Sequence, residues 1–341
     1  MPPRPAPPHP VRPRRRAVLA GLLAVLGLGA TACGPGPSAP VTAGTGYPVE
    51  LSNCAATVRL ERAPERIVLL EPAPAAILSG LGVLDRVVAR AGAFPRSCFD
   101  EATSAQITAI PTLSEELDAT GHLQINQEVV IAQQPDLVIG LPDGLTREAL
   151  REAGAEVLVP TSFCGAPAER ASFTALHQEL TAYGRVLDRA EAASALGAAL
   201  QERIDAVTAS AAQRRTATAA VLYPSVGGGP LYTYGATSMA TAQLDALGIE
   251  NVFAATPDRV FEIGAEPLLA ADPDLLIVLH QHDGEGEDVA AGMIDADQLA
   301  SLRAVQERAV LPLLFDTVEP ASPLVVDGLE RIHGWLLDRE G

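Results

Sequence analysis

Asn126-Gln-Glu-Val-Val-Ile-Ala-Gln-Gln-Pro-Asp-Leu-Val-Ile-Gly140 has a second copy later in the chain, Gly264-Ala-Glu-Pro-Leu-Leu-Ala-Ala-Asp-Pro-Asp-Leu-Leu-Ile-Val278. Each copy predicts a short helix that begins with a glutamate, Glu128 or Glu266, ends at Pro-Asp and leads directly into a buried apolar strand. Two matching helix-to-strand units this far apart predict two similar lobes, with a cleft between them.

Strands and helices alternate on both sides of the middle of the chain, which predicts an α/β fold with mostly parallel sheets. We assign residues 51–168 to an N-terminal lobe and residues 213–341 to a C-terminal lobe. Residues 169–212 lie between them, and the apolar spacing from Ser172 to about Ala209 predicts a long linking helix. If all 38 of these residues were helical, the helix would be ~57 Å long. Two consecutive helices that meet near Asp188 are the alternative.

The first 32 residues have the pattern of an export signal. Four arginines from Arg12 to Arg16 precede an uncharged apolar run that ends at Ala32 and is shorter than the ~20 residues of a membrane-spanning helix. Cleavage after Ala32 fits ordinary signal peptidase, and it also fits lipidation of Cys33. The scarcity of cysteine and the Gly/Pro/Ser-rich residues that follow favour lipidation, with residues 33–50 as a flexible tether on the outer face of the cytoplasmic membrane. Both Sec and twin-arginine export are compatible with the arginines.

The predicted mature chain is strongly acidic. Five of the 24 basic residues and none of the 42 acidic ones lie in the signal, which leaves a net charge of about −23. Such a surface repels nucleic-acid phosphates, so we exclude nucleic acid as a partner. Cys54, Cys98 and Cys164 remain after Cys33, and an oxidising envelope predicts one disulfide among them without deciding which pair forms.

The order of these segments resembles the substrate-binding proteins of bacterial ABC importers for ferric siderophores and vitamin B12. The resemblance runs from Ala63-Pro-Glu-Arg-Ile-Val68, through both glutamate-to-strand units and the middle helix, to Glu319-Pro-Ala-Ser-Pro323 before the last helix. It implies two lobes joined by a relatively rigid helix, a ligand in the cleft, and no catalytic residues. Ala75-Ala76 replace the acidic residue that the family often has early in the first helix, so the residues around Glu71 are expected to serve differently here.

The same resemblance implies roles for particular residues. Glu128 and Glu266 match the glutamates that dock on arginines of the permease, although the helix dipole alone also favours a glutamate in a first turn. A Cys54–Cys164 disulfide is implied, with Cys98 as the spare thiol. The implied partners are an ABC importer permease, a ferric siderophore or related chelate, and the membrane through the lipid anchor. We expect a monomer with no cofactor of its own.

The candidate ligand-binding residues combine aromatic, basic and acidic side chains. Tyrosine offers a flat apolar face with a hydroxyl, and most of the candidates fall on predicted strand-to-helix loops, where open α/β sheets bind ligands. The set is Glu71, Phe94, Arg96, Tyr232, Tyr234, Arg259, Phe261, His280 and Glu319.

Other functions are predicted by fewer residues. His280-Gln-His282 directly follows a strand and suggests a direct metal-binding protein or a metal-dependent envelope enzyme, but a closed transition-metal site needs three or four ligands. Gly227-Gly-Gly229 lacks the residues of a phosphate loop, and Ser225 and Ser238 lack the context of a catalytic serine. Cobalamin and haem remain alternative ligands, and an envelope sensor or scaffold without a transporter is a further alternative.

Overall fold

The N-terminal lobe is built on a five-stranded parallel sheet in the order β5-β4-β3-β6-β7. An antiparallel hairpin of β1 and β2 precedes it. The elements are β1 (Val49–Asn53), β2 (Ala56–Leu60), β3 (Ile67–Leu69), α1 (Pro74–Gly80), β4 (Val87–Ala91), α2 (Glu101–Ala109), β5 (Thr112–Ser114), α3 (Gln127–Ile131), β6 (Leu137–Ile139), α4 (Arg147–Glu152) and β7 (Glu156–Leu158).

The C-terminal lobe has a six-stranded mixed sheet. Its order is β11-β9-β8-β12-β13, with β10 paired to β8 in addition; β9 pairs antiparallel with both β8 and β11, and the other pairs are parallel. The elements are β8 (Ala217–Pro224), β9 (Leu231–Tyr234), α7 (Met239–Ala246), β10 (Ile249–Asn251), β11 (Val260–Ile263), α8 (Ala265–Ala271), β12 (Leu275–His280), α9 (Gly286–Ile294), α10 (Arg303–Gln306), β13 (Val310–Leu314) and α11 (Leu324–Glu340).

This architecture is that of a computed structural model, which describes residues 46–165, 169–212, 216–225 and 230–340. The export signal, Cys33, the first part of the tether and Gly227–Gly229 lie outside the described residues. Within the described ranges, no helix combines the length and apolarity that crossing a membrane requires.

Alternating side chains explain why the central strands are apolar throughout. In β3, Ile67 and Leu69 pack into one hydrophobic cluster while Val68 packs into another, and all three are completely buried. Because successive side chains of a strand point to opposite faces, a sheet covered by helices on both faces needs apolar residues at every position. The observed pairing of these strands confirms the α/β lobes with mostly parallel sheets that the apolar runs predict.

The repeated sequence unit occupies equivalent places in the two sheets. In the first copy α3 leads into β6, which pairs with β3 on one side and β7 on the other; in the second, α8 leads into β12, between β8 and β13. The similarity that the sequence predicts between the two lobes is therefore a shared strand-helix-strand arrangement.

The linking segment is two antiparallel helices, so the single 38-residue helix was wrong. Helix α5 (Thr174–Val186) ends before Asp188, which has a φ of 57°, and α6 (Ala190–Ala211) returns alongside it. A left-handed residue interrupts the helical hydrogen bonding and lets the chain reverse. Helix α6 is about 33 Å long and contacts both lobes. Its Leu196 lies against Gly80 of α1, and its Arg203 forms an ion pair with Asp327 of α11 at 2.6 Å.

The start of the N-terminal lobe is tied to the linking segment and to β7. The tether predicted to reach residue 50 is shorter, because β1 begins at Val49 and the Tyr47 hydroxyl donates a hydrogen bond to the Val186 carbonyl at 2.7 Å. Beside it, Cys54 and Cys164 form a disulfide, which is the pairing that the resemblance implies, and Cys98 is a buried free thiol. The buried Asn53 side chain bonds both backbone groups of Val159, at 2.8 and 2.9 Å.

Candidate functional site

A cavity of about 450 Å³ lies between the two lobes. Residues at the carboxyl ends of three strands of each sheet line it, as expected for open α/β sheets. From the N-terminal lobe they follow β3, β6 and β7, and from the C-terminal lobe they end or follow β8, β12 and β13: Leu70, Glu71, Leu141, Pro142, Val159, Tyr223, Gln281, Phe315 and Asp316.

Aromatic side chains from both lobes form much of the wall: Phe163, Tyr223, Tyr232, Tyr234 and Phe315. The rings of Tyr223 and Phe315 meet edge to face with centroids 6.1 Å apart. Burial raises the pKa of Tyr223 and of Tyr234, so both hydroxyls remain protonated at neutral pH. The wall therefore offers flat apolar faces together with hydroxyl groups that can donate hydrogen bonds.

Arg259 brings a positive charge to the interface between the lobes. It precedes β11, and its carbonyl accepts a hydrogen bond from the Gly235 amide at 3.0 Å. Its guanidinium carbon lies 5.0 Å from the centroid of the Phe163 ring, which belongs to the other lobe. Within this range a guanidinium is attracted to an aromatic face, so the contact joins the two sides of the cleft.

Two acidic side chains face the cavity from opposite lobes. Glu71 follows β3 and Asp316 follows β13. Burial raises the pKa of Glu71 to about 7, and the positive charge of Arg259 opposes that rise. Burial, and then the negative charge of Glu71, raise the pKa of Asp316 well above its usual range. Gly140 has a φ of 98°, and a Cβ there would lie 2.8 Å from Cγ of Glu71, so only glycine leaves room for this glutamate.

A loop of the N-terminal lobe, residues 117–123, covers one side of the cavity, and we call it the strap. A single β-bridge between Leu117 and Leu123 closes its base, and Asp118 accepts hydrogen bonds from the backbone of Thr120 and His122. At its tip, Gly121 has a φ of 85°, and a Cβ there would lie 2.5 Å from the Tyr223 hydroxyl. The tip therefore touches the C-terminal lobe, and glycine permits that approach.

Four of the nine sequence-predicted ligand residues line the cavity: Glu71, Tyr232, Tyr234 and Arg259. Phe94 and Arg96 do not. Phe94 packs under the guanidinium of Arg90, whose carbon is 4.9 Å from its ring centroid. The Arg96 side chain is exposed, while its amide donates a hydrogen bond to Asp283 of the other lobe at 2.6 Å.

Phe261, His280 and Glu319 also lie outside the lining. Phe261 belongs to β11 at the edge of the sheet. Its ring packs edge to face on that of Phe253, with the centroids 6.0 Å apart. His280 ends β12, and its Nδ1 lies 3.0 Å from the His282 carbonyl oxygen. Glu319 is fully buried, and its Oε1 accepts hydrogen bonds from the Ser238 hydroxyl and the Met239 amide at 2.6 and 2.9 Å. It stands behind the wall, where it holds the start of α7.

His280 and His282 are not joined by further ligands. Among the described residues, no group of three or more histidine, cysteine, aspartate or glutamate side chains is placed to hold a metal ion. The pair thus lacks the third donor that a transition-metal site needs.

Comparison with known proteins identifies the family. The family described as periplasmic binding protein matches residues 67–315, most of the chain and both lobes. The chain belongs to this family. Its members are solute-binding proteins rather than enzymes, they work outside the cytoplasm, and they deliver their ligands to the permeases of ABC transporters.

Three relatives of this periplasmic binding protein illustrate the range of ligands. A crystal structure from Saccharomonospora viridis, described as an ABC-type Fe3+-hydroxamate transport system, is 46% identical, with a TM-score of 0.80 over 84% of this chain and 98% of that one. A cobalamin-binding protein of Halobacterium salinarum is 26% identical over 83% of this chain and 72% of its own length. The vitamin B12 binding protein BtuF of Vibrio cholerae shares the fold, with 18% identity and a TM-score of 0.59 over 81% of this chain and 98% of that one.

Glu128 and Glu266 lie at corresponding positions of the two lobes. Each is exposed in the first turn of its helix, α3 or α8. Each of these helices leads into a parallel strand, so it runs antiparallel to the sheet, and its first turn lies at the same end as the carboxyl ends of the strands. Both glutamates are therefore at the cleft end of the molecule, one on each lobe.

Several lining residues were missed from the sequence. Tyr223, Phe315 and Asp316 fall at the ends of strands that the sequence does predict, so the rule that selected Tyr232 and Arg259 also applied to them. Phe163 gave a weaker signal, since it is marked only by the neighbouring Cys164. For the strap, nothing in the sequence indicated that it would cross the cleft.

Proposed function

We propose that this periplasmic binding protein captures a ferric siderophore outside the cytoplasmic membrane and delivers it to an ABC importer permease. The observation that carries the proposal is the interlobe cavity, where an aromatic wall from both lobes surrounds Arg259. The relative that is described as an Fe3+-hydroxamate transport system supports the same ligand class.

The cavity suits an oxygen-rich chelate. Siderophores bind Fe3+ through hard oxygen donors, and the outer faces of the complex carry oxygen atoms that accept hydrogen bonds along with apolar linkers. The guanidinium of Arg259 supplies several N–H donors, and the tyrosine hydroxyls supply more. The aromatic faces can cover the linkers. A cavity of about 450 Å³ is also within the usual range for small-molecule sites.

Cobalamin is the second candidate, because a relative with 26% identity is described as a cobalamin-binding protein. Haem is a third ligand to test, since His122 and the tyrosines of the lining are residue types that serve as axial ligands of haem iron. The three ligands differ in charge and shape, so one binding experiment separates them.

Delivery would use the paired glutamates. Two carboxylates on separate lobes fix both the position and the rotation of the protein on a two-subunit permease, and charge also steers the encounter. Exposure of Glu128 and Glu266 at the cleft end supports this docking role. Lipidation of Cys33 would hold the protein at the membrane beside its permease, with the residues after it as the tether.

The test is a binding comparison by isothermal titration calorimetry on purified protein that starts after Cys33. Ferric trishydroxamate chelates, iron-free hydroxamates, cobalamin and haem are titrated separately. We expect submicromolar binding of a ferric chelate and weak binding of cobalamin and haem. Binding of cobalamin or haem alone would transfer the function to that ligand, and no binding of any of the three would refute the ligand class.

A further inference from the structure

Two acidic side chains, Glu71 and Asp316, line the wall of the cavity. Asp316 is only 3% exposed. Within the described residues, neither carboxylate has a hydrogen bond or an ion pair, and each lines the cavity. The two groups come from different lobes, so the cavity brings them together.

Leaving these carboxylates unpaired is costly. A buried ionised group without a partner destabilises the folded protein, and proteins usually pair such a group or hydrogen-bond it. The interaction between Glu71 and Asp316 is one of like charges, which adds to the cost in a site of low dielectric. A ligand that brings a positive charge would remove both penalties, whereas an anionic ligand would increase them.

The other charged groups that face the cavity do not balance the pair. The charge of Arg259 acts on Glu71, but it is shared with Glu319 behind the wall and with the ring of Phe163. His122 is on the strap, with its side chain 70% exposed, and Asp143 adds a third acid at the exposed rim. Glu179 and Tyr183 lie behind Glu71 in α5 and bring no positive charge.

The aromatic wall is complementary to a cation as well. Phe315 precedes Asp316 directly, and the centroid of its ring lies 6.1 Å from the centroid of the Tyr223 ring. Faces of phenylalanine and tyrosine attract ammonium groups within about 6 Å, and the attraction is stronger when the cation is desolvated. Carboxylates and aromatic faces around one space are a combination that recognises an ammonium.

We infer that Glu71 and Asp316 together bind a positively charged group of the ligand, so the natural cargo is a ferric chelate that carries an ammonium or comparable cation. This inference rests on the proposed function and narrows it. Three hydroxamates neutralise Fe3+, so a trishydroxamate with a pendant amine is cationic overall. Three catecholates leave the complex strongly anionic, and the same cavity should reject it.

The experiment compares two chelates that differ in a single charge. The first is a ferric trishydroxamate ending in a primary ammonium, and the second is the same chelate with its amine acetylated. At about pH 8 the wild-type protein is expected to bind the ammonium form about ten- to a hundredfold more tightly, the range for one buried charge pair. A ferric triscatecholate is expected to bind least.

Variants show whether the preference comes from this pair. Combining Glu71→Gln with Asp316→Asn should abolish the preference while the acetylated chelate still binds, and Glu148→Gln, an exposed glutamate of α4, should leave the preference unchanged. If the double variant does not fold, Glu71→Gln alone must reduce the preference. Any of three results overturns the inference. These are equal binding of both hydroxamate chelates by the wild type, a preference for the ammonium form that survives the substitutions, and tightest binding of the catecholate. If neither hydroxamate chelate binds the wild type, the proposed function fails with it.

Discussion

Arg259 of the C-terminal lobe lies against Phe163 of the N-terminal lobe, with the guanidinium carbon 5.0 Å from the ring centroid. This contact crosses the cleft at the cavity itself, and Phe163 stands next to the disulfide-bonded Cys164. The positive charge at the site is thereby oriented by a ring from the opposite lobe. The residue that we propose to bind the ligand thus also contacts the opposite lobe.

Arg259→Met should weaken binding of a ferric trishydroxamate by about ten- to a hundredfold, because the substitution removes the hydrogen-bond donors and the cation–π contact. Calorimetric titration measures the change. Arg59→Met is the matched control, since Arg59 is exposed on the hairpin and forms ion pairs only with Glu50 and Glu61. An unchanged affinity in Arg259→Met would remove Arg259 from the site.

Glu71→Gln should change the pH dependence of stability. The pKa of Glu71 is raised to about 7 from 4.5, so the folded protein binds a proton that the unfolded chain releases. The stability from protonated Glu71 is complete below about pH 4.5 and is lost as the pH rises through about 7. Glutamine does not ionise, so the variant should be more stable than wild type by about 1 to 3 kcal/mol at about pH 8 and nearly equal at about pH 4.5.

Urea unfolding at the two pH values measures this difference. Glu148→Gln, which changes an exposed glutamate of the same lobe, should show no such pH-dependent gain. A Glu71→Gln variant that is equally or less stable than wild type at the higher pH would contradict the assigned environment of this carboxyl.

Replacing Cys54 and Cys164 together by serine should lower the free energy of unfolding by about 2 to 4 kcal/mol. The two cysteines are 110 residues apart in sequence, so the disulfide restricts a large part of the unfolded N-terminal lobe. Cys98→Ala is the control, because it removes the buried thiol and keeps the disulfide, and its loss should be smaller. Denaturant unfolding with no change in midpoint for the serine variant would show that the disulfide does not stabilise the lobe.

Replacing Glu128 and Glu266 together by alanine should reduce uptake of the chelate by cells at least tenfold, because the substitutions remove the docking charges. The affinity for the chelate in solution should stay the same, because the cavity is left intact. The control replaces Glu148 and Glu287, which are also exposed glutamates in the first turns of helices, one on each lobe. Normal uptake by the Glu128/Glu266 variant would favour a binding protein that acts without docking there, such as a sensor.

The fold followed from local signals in the sequence, and the length of the linking helix did not. Strands such as Ile67–Leu69 are apolar at every position because both faces are covered, and that pattern is visible without a structure. The break between α5 and α6 depends on Asp188 in a left-handed conformation. Aspartate adopts that conformation only in some contexts, so the sequence left the choice between one helix and two open.

The site was only partly predictable because it is assembled from distant segments. Tyr232, Tyr234 and Arg259 could be chosen because the sequence predicts them on loops at strand ends, although the structure places the two tyrosines within β9. The pairing of Glu71 with Asp316 depends on how the two lobes face each other, which no local pattern encodes. Conversely, Glu319 has the residue type and position of a ligand contact, but it is not part of the cavity lining, and its Oε1 accepts hydrogen bonds from the start of α7.

Capture of iron between the lobes is tested most directly by a crystal of the protein with a ferric trishydroxamate, in which anomalous scattering locates the iron. We expect one strong iron peak inside the interlobe cavity, between Arg259 and the aromatic wall, and no peak in crystals grown without the chelate. An iron peak at His280 and His282, or elsewhere outside the cavity, would contradict this expectation.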